Sequence, residues 1–160
     1  MLDQNSRLDG ALMSTSFAVI FDMDGILIDS EPTWQEIEIE VLGALGAPIN
    51  VHNVHTTTGW RIDRVVDYWR ERAGFAGDTD AIARQITQKV ADRIQQIGEP
   101  LPGAITLLHA CTEEKIPIGL ATSSSHILID SVLERLKIRD LFSAIASASE
   151  VPKGKPDPAV

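Results

Sequence analysis

The chain has 160 residues, 44% of them apolar, and a formal net charge of −9 at neutral pH. That length and apolar content suit one globular domain, or a small core carrying an inserted subdomain, and argue for a globular rather than a disordered chain. The negative balance opposes general affinity for nucleic acid or an anionic membrane surface, yet leaves room for one phosphorylated metabolite held by local donors and a metal.

In chain order, residues 1–14 are polar and mixed in charge, lack the basic flank and apolar segment of a signal peptide, and are expected to be a disordered extension. No stretch approaches the roughly 20 apolar residues that cross a bilayer. The single cysteine, Cys111, lies in an apolar helical pattern and cannot form a disulfide framework. A cytoplasmic protein of a reducing compartment is the expectation.

Phe17 to Phe21 form an apolar run that stops at Asp22-Met23-Asp24-Gly25 and resumes with Ile26, Leu27 and Ile28. This reads as a buried strand carrying two carboxylates at its carboxyl end, where open α/β sheets bind ligands. Two acids one residue apart can divide the work, one as nucleophile or metal ligand and the other as proton carrier. The plainer reading is a strand followed by a polar turn, because Asp and Gly are common turn formers. An EF-hand loop fits poorly, since its glycine belongs at the sixth position and a helix precedes it.

Ser30-Glu31-Pro32 is expected to start a helix, with a capping hydroxyl, an acid in the first turn and a proline where its missing N–H costs nothing. Trp34, Ile37, Val41, Leu42 and Leu45 follow at helical spacing up to Gly46. A second helix carries Ile62, Val65, Val66 and Trp69 and ends near Gly74; a third carries Ile82, Ile86, Val90 and Ile94 and ends near Gly98. Three helices without an intervening strand predict a helical unit over residues 30–99. The Gly-Glu-Pro-Leu-Pro-Gly stretch from Gly98 suits a hinge or boundary.

Beyond it come a helix from Ala104 to Glu114, a strand from Ile116 to Ala121 and a polar turn from Thr122 to Ser125. A helix with Leu128, Val132, Leu133 and Leu136 and a short strand near Ala144 to Ala148 complete the pattern. Strands alternating with helices imply a doubly wound parallel sheet. The fold class is therefore α/β, with residues 15–29 and 100–160 as the core and the helical unit inserted into it.

Three groups fall at the carboxyl ends of successive strands: Asp22 with Asp24, Thr122 to Ser124, and Lys155. An acid pair, a hydroxyl beside backbone N–H groups and a cation make up what phosphoryl transfer needs. Lys153 competes with Lys155 for the cation role, and Thr122 to Ser125 alone also reads as the start of a helix. Phe21-Asp22-Met23-Asp24-Gly25, Ala121-Thr122-Ser123-Ser124 and Gly154-Lys155-Pro156-Asp157-Pro158 occur in that order, with the helical insert between the first two. On these motifs the chain, from Phe17 onward, resembles the haloacid dehalogenase superfamily, in the branch whose helical cap follows the first strand.

The resemblance implies roles. Asp22 would attack phosphorus and become an aspartyl-phosphate, and Asp24 would protonate the leaving oxygen and then take a proton from the hydrolytic water. Thr122 and Ser123 would hold phosphoryl oxygens while Lys155 offsets their charge. Mg2+ would lie at Asp22 and the backbone carbonyl of Asp24. The second acid points to phosphatases and mutases rather than dehalogenases. Thr58-Gly59-Trp60-Arg61 stands where this branch places its specificity loop, so Gly59, Trp60 and Arg61 are candidate substrate contacts. Equally, Arg61 reads as a surface charge and Trp60 as cap core. His52 and His55 lack the further ligands a zinc site needs.

The run from Asp22 to Trp34, with Gly59-Trp60-Arg61-Ile62-Asp63 and Val65-Val66-Asp67-Tyr68-Trp69, resembles bacterial sugar-phosphate phosphatases of the 2-deoxyglucose-6-phosphate or hexitol-phosphate type. A small phosphorylated sugar or sugar alcohol is the implied substrate, and a β-phosphoglucomutase-like isomerase shares all three motifs. The family's fourth motif, an acidic pair after a further strand, is not met before Val160. The chain is therefore expected to have an incomplete core and low activity, with the Asp22 strand left as an apolar edge open to self-association. A non-catalytic binding or oligomerising role is the alternative.

Overall fold

The computed structural model describes residues 17–152 and Val160. The expected extension over 1–14 and the third motif, with Lys153 and Lys155, lie outside the described residues.

Three strands, β1 (Val19–Phe21), β2 (Ile118–Thr122) and β3 (Ala144–Ser147), form a parallel sheet in the order β1-β2-β3. Val19 pairs with Ile118 and Phe21 with Leu120, while Thr122 pairs with Ser147, so all three strands end at one side of the sheet. β2 starts two residues later than the apolar run suggests. Pro117 has no N–H to give a ladder and contributes only its carbonyl, which accepts from the Val19 N–H at 3.0 Å. At its other end β2 extends through Thr122, so that residue is held by the sheet rather than by a loop.

Between β1 and β2 lie α1 (Glu31–Ala44), α2 (Ile62–Ala73), α3 (Thr79–Ile97) and α4 (Ala104–Glu113); α5 (His126–Leu136) joins β2 to β3. Each helix follows its apolar spacing. α2 buries Val65, Val66 and Trp69, and α3 buries Ile82, Ile86, Val90 and Ile94. Helix α3 is central to the packing, touching α1, α2 and α5. Gln95 on α3 donates to the Ser131 carbonyl of α5 at 2.9 Å.

The two chain segments that lead into and out of the helical insert run side by side. Ile28 bridges antiparallel to Pro100, and the Leu101 N–H donates to the Leu27 carbonyl at 3.0 Å. The boundary segment is pinned further by Arg135, whose Nε donates to the Gly98 carbonyl at 2.9 Å. Gly98 admits no side chain there, because a Cβ would stand 2.6 Å from the Ile94 carbonyl oxygen. Among the described residues, no helix is long and apolar enough to cross a membrane.

Candidate active site

Alternation along an extended strand places residues i and i+2 on the same side. Phe21 is 6% exposed and Met23 fully buried, so Asp22 and Asp24, both half-buried, share the opposite side at the strand tip. The turn that follows is closed by Leu27 N–H to Met23 carbonyl at 2.8 Å and by Gly25 N–H to Ile28 carbonyl at 2.9 Å. Gly25 adopts φ of 73°, a left-handed conformation that a side chain would strain. Buried Leu27 and Ile28 anchor the far side of the turn. The acid pair thus rests on core packing on both flanks.

Asp22 accepts the Met23 N–H at 2.7 Å. Three side chains hold Asp24: Oδ1 accepts from Ser30 Oγ and, at 3.4 Å, from Trp34 Nε1, while Oδ2 accepts from Ser124 Oγ at 2.7 Å. This corrects the expected role of Ser30, which makes no side-chain capping bond to α1. Its backbone is helical (φ −90°, ψ −17°) rather than extended as a cap requires, and the nearby carboxylate is the stronger acceptor. Ser125, the residue preceding α5, likewise makes no capping bond. Its Oγ is buried without a partner among the described residues, although its extended backbone stands at the N-cap position of α5 and its carbonyl accepts from the Leu128 and Ile129 N–H groups.

Thr122, fully buried, accepts the Ser124 N–H at 3.2 Å through Oγ1, and Ser147 Oγ on β3 donates to the Ser124 carbonyl at 2.7 Å. His126 and Glu150 close the same corner, with His126 Nε2 3.0 Å from Glu150 Oε1. The hydrogen bond from His126 and the Ser147 N–H hold the Glu150 carboxyl below its ordinary range.

Asp22, Asp24 and Thr122 to Ser125 open into one cavity of about 300 Å3, shared with the helical insert. From the expected specificity loop, Gly59 and Trp60 line it. Trp60 is 48% exposed and stands edge-to-face against Tyr68 with ring centroids 5.6 Å apart, so it is not cap core. Arg61 does not reach the cavity. Its guanidinium forks onto both carboxylate oxygens of Asp63, with Nε to Oδ1 at 2.8 Å, and this contact holds the Asp63 carboxyl below its usual range. The loop is tied down instead by Thr58 Oγ1, which donates to Glu31 at 2.6 Å.

Sequence reasoning passed over Glu31, Trp34, Glu38, Thr87 and Ser125, all of which line the cavity. Glu38 is 8% exposed, on the same buried face of α1 as Ile37, Val41 and Leu42. Burial, reinforced by the neighbouring charge of Glu31, pushes its pKa up to about 8. Four acids therefore face the space, and among its described lining residues there is no Lys, Arg or His. Among the described residues, no cluster of three or more His, Cys, Asp or Glu is arranged to hold a metal, and His52 and His55 gain no partners of that kind.

A parallel α/β core whose strand tips present an acid pair beneath a helical insert defines a capped α/β enzyme fold. The chain belongs to the haloacid dehalogenase-like hydrolase family, which it matches over residues 19–160. Hexitol phosphatase B of Escherichia coli K12 is 37% identical over 145 residues, which cover 89% of this chain and 65% of that protein. Fructose-1-phosphate phosphatase YqaB of the same strain is 30% identical over 145 residues, covering 88% of this chain and 73% of that protein. The crystal structure of a β-phosphoglucomutase from Clostridium difficile superposes with a TM-score of 0.76 at 26% identity, over 88% of this chain and 66% of that one. The chain thus spans just under two thirds of the length of the hexitol phosphatase, at 65%.

Proposed function

We propose that this chain carries the active site of a cytoplasmic phosphoric monoester hydrolase acting on small phosphorylated sugars or sugar alcohols. The observation that carries the reading is the convergence of Asp22, Asp24 and the Thr122 to Ser125 hydroxyls on one cavity. The likeness to sugar phosphatases supports the substrate class. In the first step an Asp22 oxygen forms a bond to phosphorus as the bond from phosphorus to the sugar oxygen breaks, and Asp24 gives that oxygen a proton. In the second, Asp24 takes a proton from water, the water oxygen bonds to phosphorus, and Asp22 is released.

Thr122, Ser123 and the unpartnered Ser125 hydroxyl supply donors for phosphoryl oxygens, and Lys155 supplies positive charge. Asp24 is held by Ser30, Trp34 and Ser124, which orients its carboxyl for proton transfer. The donor set fits magnesium, which takes oxygen ligands and is often held by one or two carboxylates plus substrate phosphate. An Asp22 oxygen and the Asp24 carbonyl would hold it, and its charge would offset that of a phosphate in an otherwise acidic cavity. The helical insert serves as a cap that shields the reaction from water and reads the leaving group.

The test is phosphate release from hexitol and hexose 6-phosphates with magnesium, comparing the chain with its Asp22→Asn variant. Loss of release in the variant is expected, and equal release by both overturns the reading. The likeness to a β-phosphoglucomutase favours one second reading, transfer of phosphate between sugar positions. Conversion of β-glucose 1-phosphate to glucose 6-phosphate without net phosphate release would decide for it.

A further inference from the structure

An amphipathic helix that buries one face ordinarily keeps its acids on the other, because burying a carboxyl without partners is costly. Glu38 breaks that rule on α1, and Thr87, 4% exposed, sits on the buried face of the neighbouring α3. Neither side chain makes a hydrogen bond to the described residues. Other polar groups around them are already engaged: Thr57 Oγ1 donates to the Val54 carbonyl at 3.2 Å, and Glu31 receives Thr58 and Gln35. Both Glu38 and Thr87 line the cavity that also holds Asp22 and Thr122. Two buried polar side chains from two helices of the insert thus line one space with their hydrogen-bonding capacity unused among the described residues.

We propose that Glu38 and Thr87 form a hydroxyl-reading subsite, which selects phosphorylated polyols and sugars over phosphate esters that lack hydroxyls. The proposal rests on the phosphatase reading, since it takes the phosphoryl group to lie at Asp22 and the carbon chain to extend toward the insert. The chemistry suits a hydroxyl. A threonine offers one donor and two acceptor sites, and a carboxyl held near pKa 8 keeps its proton at neutral pH and so both donates and accepts. A protonated Glu38 also avoids adding charge against an anionic ligand. Sites built to bond a hydroxyl reject the analogue without it, because their own buried groups are then left unpaired.

The test is equilibrium binding of sorbitol 6-phosphate and propyl phosphate to the full chain carrying Asp22→Asn, alone and with Glu38→Ala, Thr87→Val or Glu38→Gln. The parent is expected to prefer sorbitol 6-phosphate. Glu38→Ala and Thr87→Val should each weaken that ligand by about tenfold and leave propyl phosphate within about twofold, as the loss of one hydrogen bond to a desolvated group predicts. Glu38→Gln, which keeps a donor and an acceptor in the same shape, should retain most of the affinity. A parent without preference, no change in any variant, or equal weakening of both ligands overturns the subsite. Phosphate release by the chain with Asp22 intact is read separately. Release lost alongside a preserved binding pattern overturns only the hydrolase reading, and release preserved alongside unchanged binding overturns only the subsite.

Discussion

Glu38 also makes a residue-scale statement about stability. In the folded chain it keeps its proton up to about pH 8, whereas a solvated glutamate releases it near 4.5, so between those values the folded state binds more protons than the unfolded one. Stability then falls as pH rises. Its contribution is complete below 4.5 and is lost as pH passes through about 8, with a slope of at most about 1.4 kcal/mol per pH unit for this single group. Glu38→Gln does not titrate. Denaturant unfolding of both forms at several pH values across that window should show the variant gaining stability relative to the parent as pH rises. Parallel curves would show that the carboxyl is not desolvated in the folded chain.

At the scale of elements, the joint between insert and core is the sensitive place. Gly98 has φ of −59° and ψ of 132°, which any residue adopts, so replacing it with alanine would ordinarily stabilise by about 0.4–1 kcal/mol through the unfolded state. The 2.6 Å approach of its virtual Cβ to the Ile94 carbonyl, with Ile28 also at 3.0 Å, reverses that sign. Gly98→Ala is expected to cost about 1–3 kcal/mol, as overpacking does, in a chemical denaturation midpoint. A neutral or stabilising result would mean that the end of α3 yields freely. The helices around this joint were legible because each writes a period of 3.6 in Ile, Val, Leu and Trp. Asp22, Asp24 and Thr122 were legible because a strand period breaks abruptly into polar residues. Glu38 was not, since a periodicity argument assigns every acid to solvent, and only its place among Ile37, Val41 and Leu42 hints otherwise. The Arg61 pairing with Asp63 was equally hidden. Residues two apart in sequence meet only because the chain turns into α2 between them, with Arg61 still extended at φ −66° and ψ 135°.

For the whole molecule, two opposed terms act on self-association. β1 is an outer strand of the described sheet, and Ile20 upon it is 72% exposed with Phe17 beside it at 61%. An apolar strand edge with unpaired backbone groups is a template for another chain. Against this stands a net charge of −9, which makes copies repel one another. The repulsion acts over a Debye length of about 10 Å at 0.1 M salt and shrinks to about 3 Å at 1 M, whereas apolar and backbone contacts are not screened in this way. Added salt should therefore favour association through the edge. Sedimentation velocity at low and high sodium chloride is expected to show the mean mass rising with salt in the parent chain and staying at the monomer in Ile20→Lys. That substitution removes the apolar contact and places a charge on the edge, although it lowers the net negative charge and so slightly weakens the repulsion. The edge and the overall charge thus predict opposite outcomes for it, and a variant that associates as readily as its parent would place the contact elsewhere on the surface.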